Sequence, residues 1–109
     1  MKVNVTCRHM DLTDALRVHA EGAVGDVLSN FPRIEHVHVI LDVQRHIHLA
    51  EVIIQGKDRI RVEGKTESDD MYHSIDSAVD KAARQLRKHR DKSQDHKHNA
   101  GLGEIEAQP

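Results

Sequence analysis

Aromatic side chains are almost missing from this chain: Phe31 and Tyr72 are the only two, and there is no tryptophan. Proteins that hold single-stranded nucleic acid by stacking bases need several exposed rings, as do sheets that present aromatics to RNA. That binding mode is excluded, and the core has to be aliphatic. The single cysteine, Cys7, excludes an internal disulfide and fits a reducing compartment. A catalytic thiol needs an oriented histidine; His9 stands two positions away on what reads as a strand end, so Cys7 is read as a small, partly buried residue. No run approaches the roughly 20 apolar residues of a membrane-spanning helix. The N-terminal MKVNVTCRHM lacks the apolar core of a signal peptide. A cytoplasmic location without membrane association is expected. There is no Gly-rich phosphate loop, no nucleophile elbow and no persuasive carboxylate pair, since Asp69 and Asp70 read as first-turn acids of a helix. The chain is not expected to be an enzyme, and no cofactor is implied.

What is present is a charge asymmetry hidden beneath a formal net charge of −2. From Lys81 to His98 there are seven Lys or Arg and two acids, a local balance of plus five. Residues 1–80 carry nine basic and fourteen acidic side chains, and Glu104 and Glu106 follow near the end. Cations gathered on one segment of a near-neutral protein are placed to meet something anionic, of which nucleic acid is the commonest.

The apolar residues Met71, Ile75, Ala78, Val79, Ala82 and Leu86 recur at helical spacing and predict an amphipathic helix. Ser68 is the expected N-cap, with Asp69 and Asp70 at the positive end of the helix dipole. At about 100° per residue, Lys81, Arg84, Lys88 and Lys92 fall within roughly a quarter of the circumference, beside the apolar face. Arg87 and Arg90 point elsewhere. Cations near a helix C-terminus are ordinary dipole complements, but a merely solvated helix interleaves signs for i,i+4 pairing. This stripe contains no acid, and Asp80–Arg84 and Asp91–Arg87 are the only nearby pairs at that spacing.

At 109 residues the chain is expected to be one domain with one modest core. Val3, Val5 and Cys7 alternate with Asn4 and Thr6 as in a half-buried strand. Thr13 is placed to cap a helix with Leu16, Ala20, Ala23, Val27 and Phe31 on its inner face, closed by Pro32 and weakened by Gly22 and Gly25. Val37, Val39, Leu41 and Val43 alternate with His36, His38, Ile40 and Asp42 in a second strand. A third strand spans about 49–55, and a turn at Gly56, Lys57 and Asp58 leads into a fourth at about 59–66. The order β-α-β-β-β-α predicts an α+β two-layer sandwich, a four-stranded sheet with both helices on one face. The domain is expected over residues 1–93, with 94–109 a disordered tail.

Three stretches, DLTDALR (11–17), FPRIEHVHVIL (31–41) and above all DMYHSIDSAVDKAARQLRKHRDK (70–92), resemble the short ribosome hibernation promoting factors, the family of protein Y once called sigma-54 modulation proteins. The resemblance covers about residues 1–93. It implies the same sandwich, similar to double-stranded-RNA-binding domains. It also implies a non-enzymatic translation silencer that occupies the mRNA and tRNA channel of the small ribosomal subunit in starved or stationary cells. The implied partners are 16S rRNA and ribosomal proteins. The resemblance fits either short type, the one that pairs ribosomes together with a partner factor or the one whose acidic tail opposes pairing, and Glu104 and Glu106 alone do not decide between them. The positions matching the family's RNA-facing residues are Arg17, Lys81, Arg84, Arg87, Lys88 and Lys92. Two departures stand out. Family members often carry lysines late in helix one, where this chain has Ala23, Gly25 and Asp26. The MYHSID segment puts His73 and Ser74 where small apolar residues are usual, and both are expected at or near the surface.

Two rival readings remain open on the sequence. A general double-stranded-RNA module has the same architecture and accepts any A-form duplex. The ten histidines offer another: His36 and His38 share a strand face, His46 and His48 repeat the spacing, and a turn between them could join the pairs into a metal site. With no HExxH and no cysteine cluster, a solvent-facing polar alternation explains them better. His89, His96 and His98 read as additions to the basic surface. Histidine as a residue type titrates at about 6.5, so RNA affinity is expected to rise between pH 7.5 and pH 6. Equal affinity at the two values, measured by filter binding, would rule this out.

Overall fold

Alternation at the start, helical periodicity next, and three further alternating runs produce β1 (Lys2–Arg8), α1 (Asp14–Leu28), β2 (Ile34–Gln44), β3 (Ile47–Gly56), β4 (Arg61–Ser68) and α2 (Met71–Leu102). The computed structural model describes the backbone of residues 2–102 and the side chains of residues 2–89. The sheet order is β1-β2-β3-β4. β1 runs parallel to β2, as a helical crossover requires, and β2, β3 and β4 form the expected antiparallel meander. Asp58 and Arg59 both take positive φ in the second hairpin, which moves the start of β4 to Arg61, later than the alternation suggests.

One face of the sheet supplies Val37, Val39, Leu41, Ala50, Val52, Ile54 and Val62 to the core, and both helices close over it. α1 begins as expected, with the Thr13 hydroxyl accepting the Leu16 N–H at 3.1 Å. Its buried stripe is Leu16, Ala20, Val24 and Leu28. That differs from the predicted Leu16, Ala20, Ala23, Val27 and Phe31. Ala23 and Val27 are only half-buried on the flank, and the helix stops at Leu28, leaving Phe31 in the connection with its N–H on the Leu28 carbonyl at 2.9 Å. Repeated four-residue steps drift by about 40° each, so two nearby registers shared the same aliphatic pattern and packing chose between them. A Cβ at Gly25 would meet nothing within 4 Å. Gly25→Ala is therefore expected to stabilise the fold by about 0.4–1 kcal/mol, raising the melting temperature by a few degrees in a thermal scan.

The start of α2 corrects two expectations. Asp70, not Ser68, precedes the first helical residue and accepts the Tyr72 N–H at 3.2 Å. Ser68 closes β4, and its hydroxyl accepts the Asp70 N–H at 3.2 Å. Ser74, expected near the surface, is fully buried. Its hydroxyl donates to the His48 carbonyl at 2.7 Å and lies 2.5 Å from the Ser68 hydroxyl, so a polar side chain is tolerated because it is bonded. His73 is exposed as expected. The backbone of α2 continues as helix to Leu102, past the boundary near residue 94 where a disordered tail is expected to begin; residues 103–109 lie outside the described residues.

Among the described residues no layer covers the opposite face of the sheet, yet Asp42 on it is buried. The His9 ring at 2.8 Å holds the Asp42 carboxyl below the usual carboxylate range, with further help from the Val43 backbone and Arg8. A carboxylate whose pKa is lower in the folded state stabilises the fold above the ordinary carboxylate range and loses that contribution as pH falls through the folded value. Asp42→Asn is thus expected to melt below wild type at pH 7 and to converge with it below about pH 4.

Candidate nucleic-acid interface

α2 lies across β3 and β4 beside α1 and brings the predicted cations to the surface. Lys81, Arg84, Arg87 and Lys88 are all exposed. Lys81, Arg84 and Lys88 share one stripe, as their spacing requires, and Arg87 sits further round toward α1. The side chains of Arg90 and Lys92 lie outside the described residues.

The stripe is anchored along β4, the edge strand of the sheet. The Lys81 ammonium donates to the Lys65 carbonyl at 3.0 Å, and the Gln85 amide donates to the Glu63 carbonyl at 2.5 Å. Edge carbonyls of this kind invite pairing with another strand; here two α2 side chains cover them. Lys81 keeps further N–H donors for an external anion. Arg84 is less available, because Asp80 one turn earlier holds its guanidinium at 2.5 Å. Lys88, farther along, has no acid one turn before it.

Arg17 does not join this surface. It is half-exposed and bonded to Asp14 at 2.7 Å, and it lies roughly 160° around α1 from His19, the residue that faces α2. His19 bonds Asp76 of α2 at 2.7 Å and meets the Tyr72 ring edge-on, with centroids 4.9 Å apart. No spacing in the sequence marks this His19–Asp76–Tyr72 link or the Gln85 anchor, because each joins residues brought together only by the packed fold. Where helix-one lysines are usual in the family, Ala23 and Asp26 line a groove together with Asp76 and Asp80.

The histidine pairs are not brought together. His36 and His38 lie on the open face of β2, opposite Gln55 and Ile53, and His38 contacts the Thr6 hydroxyl at 2.9 Å. His46 is in the turn at the far end of the same hairpin, and His48 is opposite Val43 there. Their separation along the strands keeps them from a common ligand, and among the described residues no three metal-ligating side chains converge. The Cys7 thiol is pushed up by burial and by the nearby Asp11, which keeps it protonated and a poor nucleophile.

Comparison with known proteins places the family and the fold. Residues 3–94 match the family described as sigma 54 modulation protein / S30EA ribosomal protein. The ribosome hibernation promoting factor of Escherichia coli is 33% identical over 96 residues, covering 88% of this chain and all of that protein. The factor of the same name from Pseudomonas putida is 35% identical over 94 residues, covering 86% of this chain and 91% of that one. Among solved structures, a ribosomal subunit interface protein from Coxiella burnetii superposes with a TM-score of 0.77 at 23% identity, over 84% of this chain and 99% of that one. The N-terminal domain of protein Y from Thermus thermophilus gives 0.68 at 26% identity, over 81% and 98%.

Proposed function

The chain belongs to the sigma 54 modulation protein / S30EA ribosomal protein family, and from that premise we propose that it is a ribosome-binding translation inhibitor that promotes hibernation. It seats α2 on the rRNA of the small subunit, in the channel where mRNA and tRNA run, and blocks both by occupancy. The observation that supports this most is the exposed cationic face of α2, with Lys81, Arg84 and Lys88 on one rigid stripe tied down along the edge of β4. Backbone phosphates need no base-specific reading, so point charges on a fixed helix suffice for affinity, and the fit to the assembled subunit supplies selectivity.

The protein works where ribosomes are, in the cytoplasm; among the described residues no helix is long and apolar enough to cross a membrane. The mechanism is steric and asks for no cofactor and no bond-making step. Sedimentation with separated small and large subunits and with a plain RNA duplex, at two salt concentrations, tests it. Salt-sensitive co-migration with the small subunit in preference to duplex is expected. Equal binding to duplex would replace this reading with a general RNA module. The same gradients, run with whole ribosomes and a pairing factor, report whether the factor and this chain act together.

A further inference from the structure

The groove between α1 and α2 has no part in that mechanism, and its chemistry is opposite to that of the α2 stripe. Val18, Ala23, Val27 and Val79 supply apolar lining, while Asp26, Asp76 and Asp80 bring carboxylates to it. Val18 is 64% exposed. Gly22 has open space where a Cβ would stand, so the α1 backbone is bare along one wall. His19 engages Asp76 and Arg84 engages Asp80, whereas Asp26 is exposed. Phosphates are repelled by such a surface. A hydrated metal ion has no use for its aliphatic half.

We propose that the α1–α2 groove is a docking site for a Lys/Arg-rich protein segment. Charge complementarity selects the occupant: the carboxylates meet the cationic heads, and the aliphatic lining takes their methylene stems. The inference rests on the ribosomal reading only for the source of the segment, a basic extension of a ribosomal protein lying beside the rRNA that α2 contacts. α1 then meets protein where α2 meets RNA.

The test is fluorescence anisotropy of a labelled Arg-Ala-Lys-Ala repeat peptide with the full chain at low and moderate salt. Saturable, salt-sensitive binding is expected, weakened by about tenfold in Asp26→Lys and in Gly22→Leu. The second variant fills the groove without altering charge, and neither position is buried, so the fold survives both. Glu21→Lys, an equal charge change outside the groove, should leave binding near wild type. No binding by wild type, or equal weakening by Glu21→Lys and Asp26→Lys, overturns the proposal. So does a photoreactive group at Gly22→Cys that captures rRNA rather than ribosomal protein in the ribosome complex, or one that captures a second copy of this chain. Peptide binding with failed sedimentation on ribosomes would remove the ribosomal reading and leave the groove; the reverse would remove the groove alone.

Discussion

Replacing Lys81, Arg84 and Lys88 together by alanine is expected to lower ribosome affinity by about a thousandfold while leaving the melting temperature near wild type. Each charge-assisted contact to a phosphate is worth about 1.5 kcal/mol, close to a factor of ten. Each phosphate contact also contributes about 0.9 to the slope of log affinity against log salt, so the slope should fall by about three. All three side chains are exposed. Among the described residues their removal costs the fold only the solvent-facing bond from Lys81 to the Lys65 carbonyl and the surface pair of Arg84 with Asp80, and alanine is the best helix former.

The single variants should not be equal. Arg84 has to leave Asp80 to reach a phosphate, so Arg84→Ala is expected to cost less than Lys88→Ala, and Asp80→Asn to strengthen binding. Sedimentation and filter binding across a salt series would report both the affinities and the slopes. Wild-type binding by the triple variant would remove α2 as the RNA surface.

The features that sequence revealed are those fixed by local period. Alternation in β1 and β2, the Thr13 cap and the helical recurrence from Met71 to Leu86 each depend on residues a few positions apart, and all are present in the fold. The α2 stripe was legible for the same reason, because rotation per residue fixes which side chains share a face. The register of α1 was not, since Ala23 and Val27 are as apolar as Val24 and Leu28, and only contact with the sheet and α2 tells them apart. Ser74 reads as a surface residue until its hydrogen bond to the His48 carbonyl, from a strand 26 positions earlier, is known. Asp42 looks like the outward member of an alternating pair, yet His9 at the end of β1 covers it. The His-x-His pairs failed in the opposite sense: adjacent in sequence pattern, they are held apart by the length of the hairpin.

Gly64 is the position where one missing side chain carries the most structure, and Gly64→Ala is expected to destabilise the protein by about 3 kcal/mol. A Cβ there would collide with the carbonyl of Ala78 and stand 2.8 Å from the Ala82 nitrogen. Both are backbone atoms of α2, so no rotamer change relieves the clash, and the cost belongs at the top of the ordinary overpacking range of about 1–3 kcal/mol. Against a typical total of roughly 5–15 kcal/mol, that is a drop of roughly 10–20 °C in melting temperature for a domain of this size. Shortening the Ala78 side chain cannot rescue the variant, because the obstacle is its carbonyl. Only lifting α2 away from β4 can, and that separates Ala78 and Ala82, both fully buried, from the strand and pulls Lys81 and Gln85 off their β4 carbonyls. The folded fraction of Gly64→Ala at low temperature should therefore bind ribosomes more weakly than wild type although every cation is retained, with the salt slope reduced as the stripe loses its seat. Gly25→Ala, the same chemical change at an unobstructed helix position, should move stability in the opposite direction. A Gly64→Ala variant that melts with wild type would mean that α2 rides higher over β4 than this packing allows.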